Sequence, residues 1–238
     1  MQFSRKIGRF ALDRRIIGLL LLGAALLGAR SWLAANPQHD PWAPLNLSDP
    51  PGWATQRKLA ALRQEPAECR AVLDRSNVSY SALDPVGEGA CRRADRTQLS
   101  ASPLQPEPAG TCALMAGFHL WVERSVRPAA LKNFRSSLAG IEHYGTYSCR
   151  RLYGRDHGPW SEHATGNAID IAAFVLADGR RIAVQDDWTD TGEEGRFLHK
   201  VRDEACEIFG TVLSPDYNAA HRDHFHFDQF ARAFGACR

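Results

Sequence analysis

The sequence lacks a strong net charge, and beyond its first 35 residues it lacks any run of lysine and arginine. Its 238 residues include 29 Lys and Arg against 27 Asp and Glu, a formal charge of +2. Six of the basic residues and one acid precede residue 36, so the remainder carries 23 basic and 26 acidic residues. Because phosphate binding needs a basic surface, we expect no nucleic-acid partner for this slightly acidic body.

The chain also lacks a C-x-x-C pair, which argues against a zinc ribbon or a dithiol redox centre. Its six cysteines are widely spaced: Cys69, Cys91, Cys112, Cys149, Cys206 and Cys237. An even number of such cysteines predicts disulfides and an oxidising compartment, with 15 possible pairings left open.

Only one long apolar run is present, from residue 16 to residue 29, and basic residues precede it. With 44% apolar and 24% charged residues, the rest has the composition of a soluble globular domain, which excludes a disordered or multi-spanning chain. The run indicates an export signal. Extended to Ala35 with Arg30 reaching the interface, it is long enough for an anchor in the inner membrane. A cleaved signal remains the alternative, but the small-residue cleavage pattern is weak.

These features divide the chain into three parts. Residues 1–35 are predicted to be the signal or anchor, with the basic end in the cytoplasm and the body in the periplasm. Residues 36–52 contain five prolines and predict an extended linker. Residues 53–238 form the domain.

Within that domain, helical and strand patterns alternate without a βαβ rhythm or an internal repeat. Helices are predicted over residues 53–63, 66–75, 111–127, 128–138 and 193–209. A strand or hairpin is predicted over residues 141–153, and strands over residues 169–176 and 181–184. The predicted fold class is α+β, with a small, mainly antiparallel sheet flanked by helices and a zinc site on the sheet face.

Two polar segments give the reason for expecting a metal. In residues 168–172 a strand would turn Ile169 and Ile171 to the core and Asp170 the other way, while Gly166 permits a turn that brings His163 beside Asp170. In residues 221–228, His224, His226 and Asp228 share one strand face and the phenylalanines occupy the other. Taken alone, the histidine segment also fits a half-solvated strand, and Asp170 also fits a carboxylate at a strand end.

Zinc explains both segments together. Catalytic zinc commonly takes three nitrogen or oxygen ligands and leaves a position for water, whose pKa it lowers to about 7. The absence of cysteine from both segments argues against a structural thiolate site.

The same residues resemble a known signature. Ser161-x-His163-x-x-Gly166-x-Ala168-x-Asp170 and His224-x-His226 resemble the S-x-H-x-x-G-x-A-x-D and H-x-H motifs of the lysostaphin-type, D-Ala-D-Ala peptidase and hedgehog-like zinc metallopeptidases. From residue 53 onward the chain also resembles the bacterial extensin-like C-terminal domain family. The motifs that carry this wider resemblance include Tyr147-Ser148-Cys149-Arg150, Val212-Leu213-Ser214-Pro215, Asn218 and His221-x-x-His224-x-His226.

The resemblance implies a role for each matching residue. His163, Asp170 and His226 take the zinc-ligand positions. His224 takes the position that activates water or stabilises the tetrahedral intermediate, where carboxypeptidase branches have Glu. His221 matches an additional histidine of the murein endopeptidase branch. Arg150, on the strand before the first motif, matches an arginine near the substrate carbonyl, although Arg151 competes for this assignment.

The implied function is a D,D-endopeptidase-like hydrolase that cleaves peptide bonds in peptidoglycan stems or cross-links, with His224 or His221 as proton acceptor. The alternative is a zinc-containing cell-wall or protein-binding module without turnover, as the hedgehog members of the superfamily illustrate. A metal-free domain is a third hypothesis. The sequence makes no prediction of oligomeric state.

Overall fold

A computed structural model describes residues 11–231 and 235–238, so the basic residues Arg5, Lys6 and Arg9 of the predicted N-terminal segment lie outside the described residues. Helix α1 spans Ala11–Ala35. Within it, Arg14–Ala35 is 22 residues long, has a mean hydropathy of 1.9 and is unburied, so it is long and apolar enough to cross a membrane. An N-terminal signal sequence or signal anchor fits this helix.

Six further helices follow α1 in the described chain: α2 (Thr55–Leu62), α3 (Pro66–Arg75), α4 (Cys112–Trp121), α5 (Arg127–Phe134), α6 (Val184–Asp187) and α7 (Glu193–Ala205). The hydroxyl of Thr111 caps α4 by accepting from the backbone N–H of Leu114, as a capping residue should. The predicted break before Pro128 is wrong. A π-helical turn, Val122–Val126, joins α4 to α5, and Pro128 fits the first turn of α5, where its missing N–H costs little.

The strands form two sheets. Strands β1 (Tyr80–Leu83) and β2 (Arg96–Leu99) form an antiparallel pair. A six-stranded sheet has the order β3-β4-β7-β6-β8, with β5 also paired to β4. Its strands are β3 (Leu138–Gly145), β4 (Ala168–Leu176), β5 (Arg181–Ala183), β6 (Thr211–Leu213), β7 (Phe225–Asp228) and β8 (Ala236–Cys237). The α+β class is confirmed.

The larger sheet is mixed, which corrects the prediction of a mainly antiparallel sheet. Strand β8 runs parallel to β6, pairing Val212 with Cys237. The disulfide between Cys206 and Cys237 draws the C-terminal segment back along this edge. That pairing depends on a covalent link that strand patterns do not reveal.

The back of the larger sheet carries the core. Strands β4 and β7 turn large apolar side chains toward helix α4, in which every residue except His119 is buried. The indole of Trp121 packs against Phe227 at 5.0 Å and Phe174 at 5.9 Å between ring centroids. The predicted alternation in residues 169–171 and 225–227 is therefore present, and the polar side chains of both strands are left on the opposite face.

The six cysteines form three disulfides: Cys69–Cys112, Cys91–Cys149 and Cys206–Cys237. No free cysteine remains in the described chain. The predicted use of the cysteines is confirmed, and it is consistent with an exported protein.

The proline-rich segment, residues 36–52, is packed against the folded part. Leu45 and Leu47 are buried in the main apolar core. The ammonium group of Lys58 in α2 donates a 2.8 Å hydrogen bond to the carbonyl of Pro37. The segment therefore contributes to the core, and the division at residues 35 and 52 stays a prediction.

Candidate metal centre

The pairing of β4 with β7 places the first two polar groups of the site. Asp170 lies directly opposite His226 in the antiparallel register, and Ile169 lies opposite Phe227. Since side chains alternate across a strand, burial of Ile169 and Phe227 on the back turns Asp170 and His226 to the front. The sheet register thus puts a carboxylate beside an imidazole.

A tight turn before β4 supplies the third group. The Ser161 hydroxyl accepts from the backbone N–H of His163 at the start of a 3-10 turn, Glu162–Thr165. Gly166 follows with φ +74°, a left-handed conformation that other residues adopt only with strain. The turn brings His163 back over β4, as the motif spacing predicted, and leaves the residue almost fully buried at 2% exposure.

Three ligand-type atoms converge at this point. Nε2 of His163 lies 3.2 Å from Oδ1 of Asp170 and 3.2 Å from Nδ1 of His226, and Nδ1 of His226 lies 3.0 Å from the same carboxylate oxygen. Ligands around a tetrahedral zinc are about 3.3 Å apart, for metal–ligand distances near 2.0–2.1 Å. The triangle of donor atoms therefore has almost the size that zinc requires.

The hydrogen bond made by the second nitrogen of each histidine ring determines whether the converging nitrogen carries a proton or a lone pair. Nδ1 of His163 donates to the carbonyl of Thr146 at 3.2 Å, and Nε2 of His226 donates to Oδ2 of Asp228 at 3.0 Å. In neutral rings the protons therefore lie on the far nitrogens, and the two near nitrogens present lone pairs. Those lone pairs face each other and a carboxylate oxygen, which accepts only.

Hydrogen bonds alone cannot satisfy this triangle. A ring nitrogen is either a donor or an acceptor, so three mutually close groups that include an ionised carboxylate leave at least one pair with no proton between them. A cation at the centre would satisfy all three groups at once. His163, Asp170 and His226 could therefore hold a metal ion.

The close approach of these three groups also shifts the pKa values of Asp170 and His226. Burial alone would raise the pKa of Asp170, but hydrogen bonds and positive charge from His163 and His226 hold it well below its usual range. Burial alone would lower the pKa of His226, but Asp170 and Asp228 outweigh that effect and raise it to about 9. Positive charge is stabilised at this position, in the form of a proton or of a metal ion.

His224 lies at the edge of the cluster with its distal nitrogen facing inward. Its Nε2 is 3.6 Å from Oδ1 of Asp170, and its Nδ1 is 2.9 Å from Oδ1 of Asp223. The ring of Tyr144 packs edge-on against it at 5.7 Å. This is the geometry of an oriented histidine that approaches the site without joining the donor triangle.

His221 lies next to His224. The two ring centroids are 5.2 Å apart, and Nδ1 of His221 is 2.8 Å from the side-chain oxygen of Asn218. Burial lowers the pKa of His221 to about 4, and the charges of His224, His226 and Arg150 add to the effect. The ring of Tyr217 packs against its other side at 5.4 Å.

Arg150 differs from its predicted placement. It lies in an exposed loop after β3, which ends at Gly145, and so it is not on a strand. Strand β3 ends at Gly145, which has φ +100°, and the Cys91–Cys149 disulfide ties the following loop to a neighbouring turn. The competing Arg151 stacks on the Trp160 ring at 4.4 Å and donates to the carbonyl of Gly158. The positive charge of Arg150 is among the causes that lower the pKa of His221.

Sequence reasoning placed Asp228 on the correct face without assigning it a role, and it missed the residues that orient the histidines. Asp228 holds His226, Asp223 holds His224, Asn218 holds His221, and the backbone of Thr146 holds His163. The role of Asp228 could have been predicted from the sequence, because Asp228 lies two residues after His226 on the same strand face. The role of the Thr146 carbonyl could not.

The fold and the site together define an α+β domain with a two-histidine, one-aspartate cluster on the front of its sheet. The chain belongs to the extensin-like family: residues 67–238 match the family described as the extensin-like protein C-terminus. Searches among curated proteins and among solved structures found no match to the chain.

Proposed function

We propose that this protein is an exported, membrane-anchored zinc metallopeptidase that hydrolyses peptide bonds in peptidoglycan stems or cross-links in the periplasm. The convergence of His163, Asp170 and His226, with the far nitrogen of each ring held by an acceptor, is the observation that carries the proposal. The peptidase activity and the D,D-endopeptidase class come from the motif resemblance. The buried cluster and the flanking histidines support it.

His163, Asp170 and His226 would hold the zinc. When bound, zinc would supply positive charge that makes a neighbouring water more acidic and polarises an amide carbonyl. Two neutral imidazoles and one carboxylate leave a net positive charge at such a site, and neither ring can turn away because its other nitrogen is already bonded.

His224 would move the proton. Its Nδ1 donates to Asp223, so its Nε2 presents a lone pair toward the cluster. That nitrogen would accept a proton from the attacking water as the oxygen–carbon bond forms, and return it to the amine as the carbon–nitrogen bond breaks. The carboxylate of Asp223 would stabilise the imidazolium between these two events.

His221 and Arg150 would contact the peptide. His221 is held beside His224 by Asn218, and the positive charge of Arg150 extends to the same corner of the site. An arginine there would bind the substrate carbonyl and stabilise the negative charge that develops on it. The exposed rings of Tyr144 and Tyr217 stand on either side of the two histidines and would form the walls of the substrate groove.

The test uses the full chain in detergent, with metal analysis and an assay on purified cross-linked sacculi. We expect stoichiometric zinc and released muropeptides from the unaltered protein. We expect His224→Ala to keep its zinc but lose about 100-fold or more in rate, the usual contribution of a general acid–base. His163→Ala should lose both zinc and activity. His157→Ala, which changes an exposed histidine outside the donor triangle, is the matched control and should behave as the unaltered protein does.

Two results would contradict the proposal in different ways. Stoichiometric zinc without any muropeptide release would favour a zinc-containing wall-binding module. Absence of metal, together with unchanged thermal stability of His163→Ala in added zinc, would show that the cluster is not a metal site.

A further inference from the structure

Three exposed tryptophans, with a histidine and a proline among them, lie where α1 meets the domain. We call this group the anchor-proximal aromatic surface, formed by Trp32, His39, Pro41, Trp42 and Trp53. Trp42 is 86% exposed and Trp53 is 72% exposed. Scattered exposed apolar residues are ordinary, but here Trp53 contacts Trp32 and Trp42 lines an adjoining groove, so the three form one apolar patch that calls for a partner.

The surface is directly attached to the end of the apolar helix. Trp32 lies three residues before the end of α1, about 4.5 Å along the helix axis. Its ring stacks on His39 at 5.3 Å and meets the edge of Trp53 at 5.9 Å. Trp53 therefore lies level with the last turn of the helix that could cross the membrane.

Hydrogen bonds hold this arrangement in place. The side-chain amide of Asn36 donates to the carbonyl of Trp32 at 2.8 Å, and the backbone N–H of Trp53 donates to Nδ1 of His39 at 3.3 Å. Lys58 bonds to Pro37 on the domain side. The chain between α1 and α2 is thus fastened at both ends, unlike the extended spacer that its prolines predicted.

Two grooves continue the surface outward. One, of about 460 Å³, lies between Trp32, Leu33 and Trp53. The other, of about 450 Å³, is lined by Trp42 and Lys58, and both grooves share Pro41 and Arg57. Arg57 is an exposed cation that lines both grooves. Lys58 is half-buried and bonded to Pro37, with Asp40 and Asp49 near it, and Glu68 also lines the second groove. Exposed tryptophan rings edged by an arginine suit the region between acyl chains and phosphate headgroups.

We propose that the anchor-proximal aromatic surface inserts into the headgroup region of the same bilayer that α1 crosses. A bilayer fits better than a second copy of the chain because the surface is continuous with α1, whose apolar residues are exposed along its length. The domain then rests on the membrane in one orientation, and the metal centre works at a set position above the bilayer. The proposal requires that α1 is retained, but it does not depend on peptidase activity.

The test reconstitutes the full chain into vesicles of phosphatidylethanolamine and phosphatidylglycerol, with or without bromine on the acyl chains near the headgroups. Bromine quenches tryptophan fluorescence on contact. Subtracting the spectrum of Trp42→Phe or of Trp53→Phe from that of the unaltered protein isolates the emission of each residue. Trp160→Phe is the matched control, since Trp160 is 40% exposed and directly precedes Ser161, which caps the turn that carries His163.

We expect brominated lipid to remove most of the Trp42 and Trp53 emission and to leave the Trp160 emission unchanged. Equal quenching of all three residues, or quenching of none, would overturn the proposal. The mass of the membrane-extracted protein is measured in parallel. A product that begins after residue 29 or 35 would also overturn it, and would leave the peptidase proposal standing.

Discussion

At the scale of single residues, the candidate metal centre depends on the atoms behind the ligands. His163 and His226 present their near nitrogens to Asp170 only because Thr146 and Asp228 hold the protons of the far nitrogens. A carboxylate behind a ligating histidine fixes its tautomer and makes it a stronger ligand. Asp228 is therefore as much a part of the site as the three residues in front of it.

Replacing Asp228 with Asn should weaken zinc binding by about 10- to 100-fold, the usual effect of removing such a partner. The amide still supplies an oxygen to the backbone N–H of Phe230, which Oδ1 of Asp228 bonds at 2.8 Å, so the strand end should stay folded. Competition with a fluorescent zinc chelator measures the affinity. Asp223→Asn is the matched control, because Asp223 contacts His224 and no member of the donor triangle. An equal loss of zinc affinity in Asp228→Asn and Asp223→Asn would show a general effect of removing a negative charge instead of a specific contact with His226.

At the scale of elements, the disulfides support different parts of the molecule. Cys91–Cys149 ties down the loop that follows β3, and the neighbouring Ser148 donates its backbone N–H to the carbonyl of His163 at 3.1 Å. Cys206–Cys237 joins the end of α7 to β8, at the far edge of the sheet. The two bridges close loops of 58 and 31 residues.

Loop-closure entropy predicts a similar loss of stability for either bridge, about 4 kcal/mol each. We expect Cys91→Ser/Cys149→Ser to lower zinc affinity as well, because the loop that positions His163 is released. Cys206→Ser/Cys237→Ser should leave zinc affinity unchanged. Urea unfolding gives the stability and chelator competition gives the affinity, both with the remaining disulfides oxidised. If Cys91→Ser/Cys149→Ser bound zinc as tightly as Cys206→Ser/Cys237→Ser, the loop after β3 would not be supporting the site.

At the scale of the whole molecule, the folded unit extends beyond its recognisable motifs. The family match begins at residue 67, but Leu45 and Leu47 are buried in the same core as α4. The backbone N–H of Leu47 also bonds to the hydroxyl of Ser76 at 2.9 Å, which fastens the segment to the end of α3. We therefore expect residues 36–52 to contribute to the free energy of unfolding of the domain.

A chain that begins at residue 53 should be less stable than one that begins at residue 36. Burying a leucine side chain contributes about 1.5–3 kcal/mol, so loss of both residues should cost about 3–6 kcal/mol in free energy of unfolding. Denaturant titration of the two chains tests this. Leu45→Ala/Leu47→Ala in the longer chain should reproduce most of the loss. If the two chains and the double leucine variant had similar free energies of unfolding, residues 36–52 would pack against the core without stabilising it.

The sequence by itself determined the parts of the site that depend on local spacing. Alternation around Asp170 and His226 follows from strand geometry, and Gly166 permits the turn that returns His163, so these placements could be predicted without knowledge of the rest of the fold. The family resemblance rested on the same short motifs. It singled out His221 and His224, and the structure brings both rings beside the triangle.

Only the tertiary structure decided what joins distant segments. The register that sets Asp170 opposite His226 spans 56 residues of chain, and it depends on both strands burying their apolar faces against Trp121. The disulfide pairings, the parallel strand β8, the loop position of Arg150 and the packing of residues 36–52 are decided in the same way. Local sequence patterns show which face of a helix or strand is apolar. They do not show which other element covers that face, because this depends on how all the apolar faces of the chain are buried together.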